Sequence, residues 1–182
     1  MNIVQTRITG LIIVEPRLYP DDRGYFYESF NAREYTQFGL DMQFVQDNQS
    51  KSSYGVIRGL HYQINPYAQT KLVRVLEGKI FDVAVDLREG SSTFGKWHGE
   101  ELSADNMKQM LIPKGFAHGF SVLSPTAVVF YKCDAYYSPE YERGIRYNDP
   151  FLDIKWQIEP GKIIVSERDL GMPSFDEAEK DF

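Results

Sequence analysis

The residues of this 182-residue chain best suited to moving protons are its histidines, one inward-facing tyrosine and a few cations set in apolar segments. His61 lies in R-G-L-H-Y-Q, toward the end of a strongly apolar run. A neutral imidazole there could take a proton near neutral pH, or simply be a half-buried strand residue. His118 lies in I-P-K-G-F-A-H-G-F, a Pro/Gly turn leading into an apolar strand. His98, in G-K-W-H-G, reads as an exposed loop residue without chemistry. Tyr131, in A-V-V-F-Y-K-C, shares a strand face with Val129 and Cys133. It is either a core tyrosine with a satisfied hydroxyl or a proton donor opposite a histidine base. Asp169 has no distinguishing context of its own.

Arg23, Arg58, Lys71 and Arg74 lie in or beside apolar strands, where a surface strand also carries such charges. Arg58 and Lys71 bracket the His61 segment. A barrel interior would place them where an anion or a developing enolate could be held. Strict alternation sends Arg58 and His61 to opposite faces, so a shared site requires a bulge, and Gly59 between them is the natural place for one. Asp82 and Asp86 share the face of Ile80. If that face is interior, Asp82 needs a buried partner, and Lys71 is the candidate.

The elements that must position these groups are mostly strands. Apolar or alternating segments recur at Leu11–Val14, Tyr25–Phe30, Phe44–Asn48, Val56–Gln63, Lys71–Leu76, Ile80–Leu87, Met110–Ile112, His118–Leu123 and Ala127–Cys133. Glu77-Gly78 predicts a tight hairpin between two of them. Asn31 followed by Glu34 predicts a helix start, with Gly39 placed to stop it, and Ser166-Glu167-Arg168-Asp169 begins a short turn. Many short strands with few helices predict an all-β fold. A jelly-roll barrel over residues 1–182 as one domain resolves the edge problem for this number of strands.

Composition narrows the function. The net charge of −6 and pI near 5.1 exclude bulk nucleic-acid or membrane binding, which need a basic face. A small anionic ligand needs only local cations. The single Cys133 excludes an intrachain disulfide and cysteine-pair zinc clusters. The opening M-N-I-V-Q-T-R-I-T-G-L-I-I-V-E-P has no charged region followed by a long apolar core, so the expected location is the cytoplasm.

Pro113, Gly115 and His118 resemble the second cupin motif, P-x-G-x-x-H. The first cupin motif supplies H-x-H and a Glu as metal ligands, whereas His61 is followed at that spacing by Gln63 and by no suitably placed Glu. With two plausible ligands left, no metal site is expected. The ordered set R-G-Y-F-Y-E-S-F, F-V-Q-D-N-Q-S, V-I-R-G-L-H-Y-Q, K-L-V-R-V, F-D-V-A-V-D-L-R, I-P-K-G-F-A-H-G-F and Y-Y-S-P-E runs from about Val14 to Asp169. It resembles the dTDP-4-dehydrorhamnose 3,5-epimerase family. The resemblance implies a cupin-type jelly roll, a homodimer, a dTDP-4-keto-6-deoxy sugar substrate, and no metal or other cofactor.

Carried over by position, it makes His61 the general base paired with Asp169, Tyr131 the general acid, and Lys71 the support of the enolate. Arg23, Glu28, Gln46, Asp47, Asn48, Arg58, His118 and Glu142 match substrate-contacting positions, with Arg23 and Glu28 reaching the neighbouring subunit's site. The chain departs at Arg168, where many members carry Lys, exchanging a point charge for a planar fork beside the nucleotide. It departs again at Tyr147, where Trp is common. Neighbouring readings are a single-carbon epimerase or ketoisomerase of the same fold, a metal-dependent cupin, and a non-catalytic carbohydrate-binding barrel. The His61, Lys71, Tyr131 and Asp169 set favours the double epimerase over the isomerase.

Overall fold

The computed structural model describes residues 1–182 and is built almost wholly of strands. In chain order these are β1 (Asn2–Gln5), β2 (Ile12–Glu15), β3 (Tyr19–Asp21), β4 (Gly24–Phe26), β5 (Gln46–Ser53), β6 (Ile57–Gln63) and β7 (Lys71–Glu77). They continue with β8 (Lys79–Asp86), β9 (Trp97–Ser103), β10 (Gln109–Ile112), β11 (Phe116–Val122), β12 (Thr126–Cys133) and β13 (Glu142–Gly144). The α-helices are two short ones, α1 (Ala32–Gln37) and α2 (Glu167–Leu170), and neither is long enough to cross a membrane.

Strands β1-β2-β10-β7-β12-β5 form one antiparallel sheet and β13-β6-β11-β8-β9 a second, with β3 and β4 a separate hairpin. The two sheets face each other as a cupin-type jelly roll. Alternation within strands explains the layers. On β8, Ile80 and Ala84 point between the sheets and pack with Val73, Val75, Phe120 and Val129. Phe81, Val83 and Val85 point the other way, onto Ile145, Leu152, Trp156 and Phe175 of the C-terminal segment. Both faces of β8 are therefore covered, which is why its sequence reads as a nearly continuous apolar run. The outer face of the first sheet is sealed by Tyr35 of α1 over Ile12, Val14, Leu72 and Leu111. Asn31 caps α1 by accepting from the Arg33 N–H, and Gly39 at φ +75° follows its end, as the sequence predicts.

Three expectations need correction. Glu77-Gly78 is not a hairpin: β7 pairs with β10 and β12, whereas β8 pairs with β11 and β9, so the chain crosses between sheets there. Gly78, at φ +76°, is still required, because a Cβ would lie 2.1 Å from the Thr126 carbonyl oxygen. A glycine-marked sharp turn signals a reversal but not whether the returning strand joins the same sheet. The Tyr25–Phe30 segment is strand only to Phe26. His98 is not in a loop but on β9, half-buried, 3.6 Å from Glu100. Its strand, like β1 and β13, lacks a clear apolar pattern and went unpredicted.

Candidate active site

One end of the barrel opens into a cavity of about 610 Å³, walled by β5, β6, β7, β11 and β12 and rimmed by residues near Tyr137, Glu142 and Ser166–Asp169. That volume suits a small organic ligand. Alternation decides who faces it. On β5, Gln46, Asn48 and Ser50 point in. Asp47, expected among them, points out and pairs with Lys132 at 2.9 Å. Tyr131 on β12 points in, with Val129 and Cys133 on its face.

Arg58 and His61 both line the cavity despite their opposite parity. The cause is an irregularity in the β6–β11 pairing: Arg58 pairs with Phe120 and His61 with His118, so three steps on β6 match two on β11. The extra residue falls where the sequence pointed, at Gly59, which adopts φ +118°. A Cβ on Gly59 would sit 2.6 Å from the Cα of Gly119, so this bulge also depends on two glycines meeting across the strands.

The Gly59 N–H donates to Asp169 Oδ2 at 3.3 Å, and the His61 Nε2–H donates to Asp169 Oδ1 at 2.7 Å. Asp169 comes from α2, whose first turn is capped by Ser166 Oγ accepting from the Asp169 N–H. Burial pushes the Asp169 carboxyl up, but His61, Gly59 and the nearby Arg168 more than reverse this and hold it below the usual carboxylate range. An ionised Asp169 fixes the imidazole and leaves its other nitrogen for the cavity.

Lys71 opens β7 with its ammonium 6.0 Å from the centre of the Tyr131 ring. Burial pushes its pKa down, opposed by Cys133, Glu142 and Asp82 at longer range. Burial likewise raises the Tyr131 phenol, countered in part by Arg58. The sequence suggested Lys71 as the partner of Asp82, but the two are not bonded. Asp82 Oδ1 accepts from His118 Nε2 at 2.7 Å, because β11 lies between β6 and β8 and brings His118 beside it. Arg58 donates to Ser52 Oγ at 3.0 Å.

At the mouth, Tyr137 donates to Glu142 Oε2 at 2.5 Å and Arg168 pairs with the same carboxylate. Burial pushes Glu142 up, but these two bonds keep it low. Gln63, Gln69 and Tyr137 join this wall without having been singled out as site residues. The aromatic pair of Y-Y-S-P-E ahead of a Ser-Pro turn was the available signal for Tyr137. Arg23 and Glu28 lie outside the cavity: Arg23 pairs with Asp21 at the exposed hairpin tip, and Glu28 accepts from Asn31. No group of three or more His, Cys, Asp or Glu side chains is arranged to share a metal ion.

The arrangement offers a base with a carboxylate behind it, a phenol, a cation between strands and further cations at the mouth. Comparison with known proteins points to one chemistry. Residues 5–177 match the family model described as dTDP-4-dehydrorhamnose 3,5-epimerase. A Pseudomonas aeruginosa dTDP-4-dehydrorhamnose 3,5-epimerase is 51% identical over 98% of both chains. The crystal structure of the enzyme of that name from Elizabethkingia anophelis superposes with a TM-score of 0.94 at 52% identity, covering 97% of each chain. A Legionella pneumophila dTDP-6-deoxy-D-glucose-3,5-epimerase, solved in complex with dTDP-4-keto-L-rhamnose, gives 0.93 at 51% identity, covering 97% of this chain and 93% of that one.

Proposed function

Because the chain belongs to the dTDP-4-dehydrorhamnose 3,5-epimerase family, we propose that it inverts C3 and C5 of dTDP-4-dehydro-6-deoxy-glucose by proton transfer in this cavity. The observation that carries the reading is the convergence of His61, backed by Asp169, with Tyr131 and Lys71 on one wall system.

Both carbons flank the ketone, so loss of a proton from either leaves negative charge on the same oxygen. One cation can therefore serve both steps, and Lys71 is free of any close carboxylate because His118 occupies Asp82. His61 takes the proton through the nitrogen not bonded to Asp169. Asp169 stabilises the imidazolium that forms, without itself taking the proton. Inversion then needs protonation from the opposite face, the role of Tyr131. Burial raises its phenol pKa and so keeps it protonated, and the enolate is a strong enough base to take that proton. Arg58 and Arg168 supply positive charge for a diphosphate, with Gln46, Asn48, His118 and Glu142 as polar contacts.

The enzyme is further proposed to act as a homodimer. The β3–β4 hairpin exposes Tyr19, Tyr25 and Phe26 beside Arg23, an arm suited to a second copy's cavity. Active monomers in sedimentation at assay concentration would rule this out. The reaction is proposed to need no metal, and exhaustive chelation should leave turnover unchanged.

Incubation with the dTDP-4-keto sugar in heavy water, followed by NMR at C3 and C5, tests the main reading. Deuterium should enter both carbons with inversion. Label confined to one carbon would make the enzyme a single-carbon epimerase. In Tyr131→Phe, inverted product should fall more than exchange, because the enolate is reprotonated mainly from the side it came from. Equal loss of both would reassign Tyr131.

A further inference from the structure

Gln63 stands two residues after His61 on β6 and faces the same cavity, but its side chain is spent elsewhere. It is 4% exposed, and both ends of its amide are bonded. Nε2 donates to the Tyr67 carbonyl at 2.7 Å and to the Tyr136 carbonyl at 3.2 Å, while Oε1 accepts from the Ser138 N–H at 2.6 Å. Two more glutamines hold the same segment. Gln46 Oε1 accepts from the Tyr137 N–H at 2.9 Å, and Gln69 Nε2 donates to the Ala135 carbonyl at 2.8 Å.

Residues 135–138 follow the end of β12 and belong to no strand, so their peptide groups have no ladder to join. Three amide side chains from β5, β6 and the β6–β7 connection replace that ladder. The amide is the suitable group because it donates and accepts from one planar end. A carboxylate at position 63 could accept from Ser138 but would face two carbonyl oxygens.

The clamped segment carries Tyr137, whose hydroxyl holds Glu142, which in turn pairs with Arg168 at the mouth. We infer that Gln63, seconded by Gln46 and Gln69, is a positioning residue for the nucleoside-diphosphate end of the substrate. It fixes the Ala135–Ser138 rim and, through Tyr137 and Glu142, the placement of Arg168. This rests on the functional reading above, in which a thymidine diphosphate group enters at that mouth.

The test is Gln63→Glu, with dTDP affinity measured by calorimetry across pH alongside steady-state kinetics. With the new carboxyl ionised, dTDP affinity should fall about tenfold, the scale of one lost buried hydrogen bond. As pH falls and the carboxyl is protonated, it donates to a carbonyl again and affinity should recover toward wild type. KM should follow the same course. The loss should not appear in kcat, because Gln63 touches neither His61 nor Tyr131. The charged or titrating groups around position 63 are Glu142, opposite it on β13, with His61, Lys71, Tyr67, Tyr137 and Arg168. All are present in the wild type, whose profile measured in parallel removes their contribution.

Tyr137→Phe keeps the clamp but cuts its connection to Glu142. It should weaken dTDP binding without the pH-dependent recovery. If Gln63→Glu does not fold, Gln69→Leu, which removes the clamp's bond to the Ala135 carbonyl, should weaken dTDP binding in its place. Wild-type affinity in any of these folded variants, or a pH-independent loss in Gln63→Glu, overturns the inference. Wild-type protein that binds no dTDP defeats the functional reading itself, and that is seen before any variant is made.

Discussion

His61 and His118 are paired across β6 and β11, and each is bonded through Nε2 to an aspartate 2.7 Å away. The two dyads differ in what surrounds them. His61 keeps 28% of its side chain exposed and Asp169 5%, whereas His118 keeps 7% and Asp82 none. Both oxygens of Asp169 are bonded, the second by the Gly59 N–H, while Asp82 Oδ2 is buried without a partner. Both rings border the cavity, but the more exposed His61, backed by a fully bonded carboxylate, is the one arranged as expected of a base. The His118 pair, with a less exposed ring and a buried carboxylate oxygen left unpartnered, is chiefly a structural commitment that the barrel interior cannot break cheaply.

The contrast can be broken by substitution. The largest effect expected is His61→Asn, which should reduce deuterium exchange at both carbons by about 10²–10⁴-fold with little change in melting temperature. Exchange at the wild-type rate would remove His61 from the reaction. His118→Leu should act on stability, because it strands the buried Asp82 carboxylate at a cost of about 3–5 kcal/mol, or roughly 6–20 °C in Tm. Adding Asp82→Leu should recover much of that loss, since removing both partners costs less than removing one. A single variant that melts like wild type would dissolve the distinction between the dyads.

Asp169→Asn should lower exchange by about 10–100-fold, the scale of one charge-assisted hydrogen bond. Asp169 also has a pH signature. Its native pKa lies below its unfolded value, so its stabilising contribution is complete above about pH 4 and is lost as pH falls through the native value. The stability gap between wild type and Asp169→Asn should therefore close in acid. Asp86, away from both dyads, gives the smallest effect. Burial raises its carboxyl, but bonds from Arg88, Ser91 and Thr93 more than reverse this, to about 2. It should contribute about 2 kcal/mol, lost between roughly pH 4 and pH 2, and denaturation curves of Asp86→Asn should lack that acid limb.

Much of the barrel was legible because its signals are local. Apolar or alternating runs marked β6, β7, β8, β11 and β12 but missed β9, Asn31 and Ser166 marked helix starts, and the parity conflict between Arg58 and His61 located the bulge at Gly59. The orientation of Tyr131 followed from alternation alone. Asp169 is different: nothing around it marks a site, and its role in the expected dyad came from resemblance to a family. Physically it reaches His61 only because the C-terminal segment packs across the outer face of the second sheet and returns α2 to the end of β6.

Residue types and local spacing by themselves pointed to a strand-built barrel, to an interior that His61, Lys71 and Tyr131 could share, and to Gly59 as the natural place for a bulge if Arg58 and His61 share a site. Tertiary structure decided who meets whom. Strand order β6-β11-β8 gave Asp82 to His118 and left Lys71 free, and the crossing at Gly78 put β7 and β8 in different sheets. Closure of the rim gave Gln63 to the Ala135–Ser138 segment. Alternation is a property of each strand's backbone and can be read along the chain. Partner choice is a property of which strands become neighbours, and that is settled only when the sheets close on one another.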